Sequence, residues 1–204
     1  MAVLATDSFT RANNADLGTA WDVPTGGAAF KVASNAATPT FLESDAMESN
    51  NSATWPNDQY AQCAVTVVGT VSTTGLGPAV RMATGALTFY RCVASHAATN
   101  NVELAKFVSG SYTQLALRTQ AWTDGDVLRV EVSGTTLKMF RNGTQLGANV
   151  TDSSIASGRA GIGYSGAVTS GSLDDWEGGD FTTAAPPGHA ATGMTPAVQR
   201  AAFW

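Results

Sequence analysis

Three carboxylates lie close together early in the chain and are the residues best placed for catalysis. Glu43, Asp45 and Glu48 fall within the segment Glu-Ser-Asp-Ala-Met-Glu. Retaining glycoside hydrolysis needs two carboxyl groups about 5 to 5.5 Å apart, and residues on one face of a bulged strand can supply that separation. Ser44 and Ala46 are small, however, and a polar segment follows directly. The plainer interpretation is a charged strand end, and catalysis by Glu43 and Glu48 is the alternative.

A second group of residues is suited to holding a sugar. Alternation along the predicted strands points one set of side chains toward the core: Val80, Met82, Tyr90, Cys92, Leu104, Leu128 and Val130. The opposite set comprises Arg81, Phe89, Arg91, Glu103, Arg129 and Glu131. Planar polar groups beside a ring, with Trp122 or Trp55 on a bordering loop, suit a sugar. We predict that this set lines one open sheet face; the alternative is cross-strand ion pairs worth roughly a few tenths of a kcal/mol each.

Histidine and cysteine chemistry is poorly supported. The two histidines are His96, in a predicted turn, and His189, near the C-terminus. Neither provides the base that a serine or cysteine hydrolase requires. Cys63 and Cys92 lie inside apolar runs, which is typical of buried free thiols, and their spacing matches no zinc site.

The elements that position these residues are predicted to be strands. Apolar and polar residues alternate in short runs, as in residues 60–68 and 127–132, and such runs recur about every ten residues between turn signals. Hairpin turns are indicated at Ser109-Gly110, Ser133-Gly134 and Asn142-Gly143. About a dozen strands at this spacing predict an all-β fold, a two-sheet antiparallel β-sandwich of jelly-roll type.

Composition narrows the classes of protein further. The chain has 204 residues, 44% hydrophobic and 13% charged, with 21 glycines, as expected of one β-rich domain. Lys and Arg total 11 against 16 Asp and Glu, so the net charge is -5, and no basic run could neutralise a row of phosphates. The sequence therefore argues against nucleic-acid binding. It also lacks an apolar stretch of roughly 20 residues for membrane insertion and a recognisable secretion signal.

Three stretches resemble the concanavalin-like, laminin-G-like jelly-roll domains. They are Asp7-Ser-Phe-Thr-Arg with Leu17-Gly-Thr-Ala-Trp; Asp58-Gln-Tyr-Ala-Gln-Cys-Ala-Val; and the run from Gly125-Asp-Val-Leu-Arg-Val-Glu-Val to Leu173-Asp-Asp-Trp-Glu. The resemblance covers residues 6–181. It is strongest to the versions in tailed-bacteriophage virion proteins and bacterial carbohydrate-binding modules. It implies that the first and last strands pair, and that Trp21 and Trp176 belong to the core.

The resemblance also implies a metal site. Jelly-roll modules of this kind often carry a structural calcium ion, held by carboxylates and carbonyls near the paired terminal strands. The available ligands here are Asp7, Asp174, Asp175 and Asp180. The alternative role for these residues is turn formation by Asp.

The early carboxylates bear a second resemblance. Glu43, Asp45 and Glu48 match the Glu-x-Asp-x-x-Glu pattern of laminarinase-type retaining glycoside hydrolases. In that family one glutamate is the nucleophile and another is the acid/base, roles that would fall to Glu43 and Glu48.

The composition changes after Phe181. Ala, Pro, Gly and Thr dominate there, and large apolar groups are too few for independent folding. We divide the chain into a jelly-roll domain, residues 1–183, and a linker with a terminal docking peptide, residues 184–204. Val198, Phe203 and Trp204 would dock onto a partner, or the terminal aromatics would dock onto the domain itself; the alternative is a frayed end.

These observations predict a non-enzymatic phage virion accessory module, a capsid decoration or tail-associated protein. Its jelly roll would face solvent and bind glycans, and its tail would anchor it to other virion proteins. Such a protein is made in the host cytoplasm and exposed after lysis, needs no cofactor beyond structural calcium, and can form symmetric homo-oligomers. Two alternatives stay open: a laminarinase-like glycoside hydrolase, and a carbohydrate-binding module of a larger bacterial enzyme.

Overall fold

The described part of the chain consists of strands joined by turns and loops. The computed structural model describes residues 1–40, 46–67, 75–96, 100–165 and 171–181. In chain order the strands are β1 (Ala2–Asp7), β2 (Trp21–Asp22), β3 (Phe30–Ala33), β4 (Ala36–Pro39), β5 (Ala46–Asn50), β6 (Gln59–Val67), β7 (Gly75–Met82), β8 (Phe89–His96), β9 (Asn100–Val108), β10 (Ser111–Thr119), β11 (Asp126–Ser133), β12 (Thr136–Arg141), β13 (Thr144–Gln145), β14 (Val150–Thr151), β15 (Arg159–Ser165) and β16 (Ser172–Asp180). Within these ranges, no helix is long and apolar enough to cross a membrane.

The strands form two antiparallel sheets. Among the described residues, the first sheet has nine strands in the order β13-β12-β11-β6-β16-β4-β3, with β1 paired to β16 and β14 paired to β12. The second has seven, in the order β10-β9-β8-β7-β15-β5-β2. Neighbours such as β6 and β16 lie far apart in sequence, so the chain crosses repeatedly between sheets, as a jelly roll does. The predicted two-sheet antiparallel β-sandwich is confirmed.

Alternation and turn chemistry account for the central strands. In β6, Ala61, Cys63 and Val65 face the core, and β11 alternates in the same way. The turn after β12 is made by Asn142 and Gly143, whose φ angles are 48° and 77°. Only residues that tolerate positive φ fit such a hairpin turn, which explains why Asn-Gly stands there.

The core lies between the two sheets. Its fully buried side chains include, from both sheets, Cys63, Val65, Val80, Tyr90, Cys92, Leu104, Leu128 and Val130. Burying each large apolar side chain contributes about 1.5 to 3 kcal/mol. Cys63 and Cys92 are buried free cysteines, as predicted. Trp21 and Trp176 are also in the core, packed edge-on with ring centroids 4.8 Å apart.

The first strand pairs with the last part of the final strand, residues 176–180, with one irregularity between Val3 and Ala5. Ala2 lies opposite Asp180, and Asp7 lies opposite Trp176. The pairing that the resemblance implied is therefore present, and it brings Asp7 close enough to Asp174 for their charges to interact.

The predicted alternation fails at one point, in β7. Arg81 has a φ of 52°, and the register between β7 and β15 shifts beside it. This bulge turns the Arg81 guanidinium to the end of the sandwich, where it donates to the carbonyl oxygens of Asn57, Ile155 and Gly134 at 2.7 to 2.9 Å. Met82 leaves the main core and packs in a second cluster with Met47, Ala79, Phe89 and Phe107. The predicted placements of Arg81 on an open face and Met82 in the main core are both wrong, because a bulge inserts an extra residue.

Candidate functional site

The residues predicted to share one sugar-binding face are divided between the two sheets. Phe89 and Arg91 on β8 and Glu103 on β9 belong to the second sheet. Arg129 and Glu131 on β11 belong to the first. Outward-facing residues of different sheets lie on opposite sides of the sandwich. The prediction of one continuous face is therefore wrong: alternation separates inside from outside but does not say which sheet a strand joins.

A buried layer of rings lies on the outer side of the second sheet. Phe89 and Phe107 are directly paired across β8 and β9, and their rings stack with centroids 4.7 Å apart. Phe89 is fully buried. It therefore supports the surface above it and offers no ring to a sugar, contrary to the prediction.

Four polar side chains form a connected group above this layer, which we call the Glu103 cluster: Arg91, Glu103, Tyr112 and Gln114. Glu103 Oε2 accepts hydrogen bonds from the Tyr112 hydroxyl and from Gln114 Nε2, each at 3.0 Å. The Arg91 guanidinium lies 4.8 Å from the Phe107 ring centroid and 3.8 Å from Glu103 Oε1. Strand pairing builds the cluster, because Tyr112 lies opposite Phe107 and Gln114 opposite Ala105.

The Glu103 cluster has a buried base and an exposed top. Arg91 is only 4% exposed, whereas Tyr112 is 49% and the neighbouring Leu117 43% exposed. Burial, and next the Glu103 charge, raise the pKa of Tyr112, so its hydroxyl remains a donor. Arg91 and Glu103 carry opposite charges, and the cluster as a whole is neutral. Such a surface can bind a hydroxyl-rich uncharged molecule.

Sequence reasoning missed Tyr112 and Gln114, although a signal for them existed. The Ser109-Gly110 turn between β9 and β10 was recognised, and its register places Tyr112 beside Phe107. Following that register along the hairpin would have placed Tyr112 and Gln114 on the same face of the sheet as Phe107 and Glu103.

The two tryptophans predicted to border the sugar site lie elsewhere. Trp122 is 5% exposed and packs in the main core. Trp55 is half-buried, donates from Nε1 to the Asn50 carbonyl oxygen at 2.7 Å and packs edge-on against Trp176. The prediction for Trp122 is therefore wrong, since its ring is part of the hydrophobic core.

Arg129 and Glu131 form an ion pair on the outer face of the first sheet. Arg129 Nε lies 2.8 Å from Glu131 Oε1. The guanidinium also stacks on the Tyr60 ring, 3.7 Å from its centroid. This pair lies along one strand, β11, and differs from the cross-strand ion pairs given above as the alternative to sugar binding.

Glu48 uses its carboxylate to join the two sheets. It is 2% exposed, and Oε1 accepts a hydrogen bond from the Phe30 backbone N–H at 2.6 Å. This contact connects β5 of the second sheet with β3 of the first. Burial raises the pKa of Glu48 to about 7. Glu43 and Asp45, the other carboxylates of the predicted catalytic group, lie outside the described residues.

The Asp7 carboxylate is hydrogen-bonded to residues near the start of the chain. Its carboxylate accepts four N–H donors, two from Arg11, one from the Phe9 backbone and one from Trp21 Nε1. Asp174 accepts the backbone N–H of Asp175 at 2.8 Å. Across the described ranges, no group of three or more His, Cys, Asp or Glu could hold a metal ion. The calcium site predicted at Asp7, Asp174 and Asp175 stays a prediction.

The docking peptide predicted from the sequence covers the last part of the chain. Val198, Phe203 and Trp204 lie outside the described residues.

Solved structures provide three informative comparisons. The carbohydrate-binding module CBM66 from Bacillus subtilis matches with a TM-score of 0.61 and 15% identity, covering 78% of this chain and 94% of that one. The CBM2 module of the evolved Dit of Lactobacillus casei BL23 phage J-1 matches with a TM-score of 0.55 and 12% identity, covering 86% and 94%. The GH43 BlXynB protein from Bacillus licheniformis matches with a TM-score of 0.62 and 11% identity over 85% of this chain, which spans only 38% of that protein.

No protein-family model and no curated protein matches the chain. At identities of 11 to 15%, the structural likeness is one of fold. The chain accordingly has an all-β jelly-roll sandwich fold similar to that of these carbohydrate-binding modules, one of which comes from a phage protein.

Proposed function

We propose that this protein is a non-catalytic glycan-binding module whose ligand lies over the Glu103 cluster. The observation that carries the proposal is the exposed Tyr112 ring, held by Glu103 and next to the Gln114 amide. Sugars are bound by an aromatic ring against their C–H face and by planar polar groups that meet their hydroxyls. Two solved modules of this fold carry the name carbohydrate-binding module, which is consistent with such a role.

The cluster is arranged before any ligand arrives. The Phe107 ring packs edge-on against Tyr112 at 5.6 Å, and Glu103 fixes the Tyr112 hydroxyl. Leu117 lies opposite Glu103 and extends the apolar surface. Because these side chains are already ordered, binding costs little conformational entropy. The neutral cluster selects uncharged polysaccharides.

A binding experiment with three variants tests this site. Affinity electrophoresis in gels containing different neutral polysaccharides should retard the wild type in at least one. Tyr112→Ala should bind about tenfold more weakly, since a stacked ring contributes about 1 to 1.5 kcal/mol. Tyr112→Phe keeps the ring and should retain most of the affinity. Leu4→Ala, an exposed apolar change on β1, is the control. Absence of retardation throughout, or equal binding by Tyr112→Ala, would contradict the proposal.

The proposed lack of catalysis has its own test. Glu48 is engaged with the Phe30 N–H inside the sandwich, which favours a structural role for its carboxylate. We expect no release of reducing ends when the protein is incubated with a β-1,3-glucan. Steady release by the wild type that Glu48→Gln abolishes would instead establish the glycosidase alternative.

We further propose that the module belongs to a phage virion and is fastened by residues 184–204. Support comes from the phage Dit module of the same fold and from the change in composition after Phe181. Deleting residues 184–204 should leave a folded, glycan-binding domain that no longer associates with virus particles. Association that survives the deletion would place the anchor elsewhere.

A further inference from the structure

A pocket lies on the outer face of the first sheet, on the opposite side of the sandwich from the Glu103 cluster. Its volume is about 330 Å³, at the small end of the range for ligand sites. We call it the Phe181 pocket; its lining residues are Glu131, Ser133, Thr136, Lys138, Asn149 and Phe181.

The β11–β12 hairpin forms the floor of this pocket. Glu131 lies directly opposite Lys138, and Ser133 lies opposite Thr136. Asn149 comes from the segment just before β14, and its amide oxygen accepts a hydrogen bond from Gln145 at 2.9 Å. Side chains of an antiparallel hairpin keep fixed neighbours, so the polar groups have a defined spacing.

Phe181 forms one wall. It follows β16 and is half-exposed, and its ring packs edge-on against Tyr60 with centroids 6.1 Å apart. The Arg129 guanidinium lies 6.0 Å from the same ring. The ring therefore has a supported orientation and still borders the pocket.

The charges in the Phe181 pocket do not cancel. Glu131 is compensated by Arg129, whose Nε is 2.8 Å away. Asp58 borders the pocket, since its Oδ2 accepts a hydrogen bond from Ser133 at 2.9 Å, and it is compensated by Arg81, whose Nη2 lies 3.5 Å from Asp58 Oδ1. Lys138 is half-buried, and within the described residues it forms neither a hydrogen bond nor an ion pair. An ammonium group without an ion-pair partner at the edge of a pocket attracts an anion that enters it.

We propose that the Phe181 pocket is a second saccharide site, specific for a sugar residue that carries a carboxylate, such as a uronic acid. Phe181 packs against the C–H face of the sugar, and Lys138 pairs with the carboxylate. Thr136 and Asn149 meet the hydroxyls, and Ser133 Oγ, which donates to Asp58, accepts a hydrogen bond from one of them. The site does not depend on the Glu103 cluster, whose surface is neutral and lies on the other sheet.

Isothermal titration with acidic oligosaccharides and their methyl esters tests this site. The panel contains galacturonate, glucuronate and mannuronate trimers, each beside its ester, which keeps the rings and removes the charge. The wild type should bind at least one of the acids, and it should bind the ester of that acid at least tenfold more weakly. Lys138→Met and Phe181→Ala should each lower the affinity for the acid at least tenfold. Lys138→Arg should keep most of the affinity. Lys31→Met, a half-buried lysine on β3, is the matched control and should bind as the wild type does.

The outcomes separate this site from the first one. Tyr112→Ala should leave acid binding unchanged, and Lys138→Met should leave neutral-polysaccharide binding unchanged. Thermal melting of Lys138→Met shows whether the fold is intact. The proposal is overturned if no acid binds, if acid and ester bind equally, if Lys138→Met binds as the wild type does, or if Tyr112→Ala abolishes acid binding.

Discussion

Glu48 places a carboxylate between the two sheets, and its protonation is coupled to folding. Burial raises its pKa to about 7 against the opposing hydrogen bond from Phe30, and the charges of Asp16 and Asp22 raise it further. The folded protein therefore holds this proton more tightly than the unfolded chain does. The stabilising contribution is complete below the unfolded pKa of about 4.5 and is lost as the pH rises through about 7.

We expect Glu48→Gln to become more stable relative to the wild type as the pH is raised from 4.5 to 8. The amide oxygen can still accept the Phe30 N–H but never ionises. The relative gain in the free energy of unfolding should be on the order of 3 kcal/mol. Urea denaturation at the two pH values measures it, and an equal effect of the substitution at both would contradict the coupling.

Asp152 provides a control, because its contribution to stability should depend on pH in the opposite direction. Burial raises its pKa, but hydrogen bonds from Lys106, Tyr90 and Ser154 outweigh that effect and lower it. Its contribution to stability is therefore present at neutral pH and lost as the pH falls. Asp152→Asn should cost most at pH 8 and least in acid, the reverse of the Glu48 pattern.

At the scale of elements, β15 shows how closely the strands of the second sheet approach. A Cβ on Gly161 would overlap the Glu48 carbonyl oxygen and lie 2.6 Å from Met82 Sδ. A Cβ on Gly163 would meet nothing nearer than Arg91 Cδ at 4.0 Å. Two glycines on the same face of one strand thus have very different surroundings.

Gly161→Ala should therefore destabilise the protein by about 2 to 3 kcal/mol, because the neighbouring backbone of β5 has to move. Gly163→Ala should change stability by less than about 1 kcal/mol, since it removes backbone freedom without a clash. Urea denaturation of both variants gives the comparison. Similar losses for the two would mean that β15 and β5 are not packed as tightly as described.

Strand patterns explain which parts of the fold could be predicted. Alternation correctly oriented β6 and β11, whose apolar faces are regular, and Asn142-Gly143 correctly marked a hairpin. The alternation pattern failed after Val80. Arg81 adopts a positive φ, and the sequence has no Gly or Asn at that position to indicate one. The pattern also grouped Arg91 with Arg129, since sheet membership depends on long-range pairing that local periodicity does not encode.

At the scale of the whole molecule, the two cysteines come from opposite sheets. Cys63 lies on β6 and Cys92 on β8, and both are fully buried in the main core. Burial raises the pKa of both thiols. Reaction with either thiol therefore requires the sheets to separate.

Thiol labelling should report global unfolding. We expect a maleimide reagent to modify Cys63 and Cys92 together, at the rate of unfolding measured by dilution into urea. A Leu117→Cys variant, with its added thiol exposed on β10, should label immediately at that site and confirm that the reagent is active. Fast modification of one native cysteine alone would show local opening of its sheet.

The pairing of β1 with β16 also determines how the domain responds to force. Ala2 lies opposite Asp180, so the two ends of the described chain leave the sandwich at the same rim. Tension applied between them would break the backbone hydrogen bonds one after another, from Ala2 inward, so that β1 peels away at low load. The peeling would stop where Asp7 is held by Arg11 and Trp21. The domain could thus extend by one strand under strain and recover while its core stayed closed.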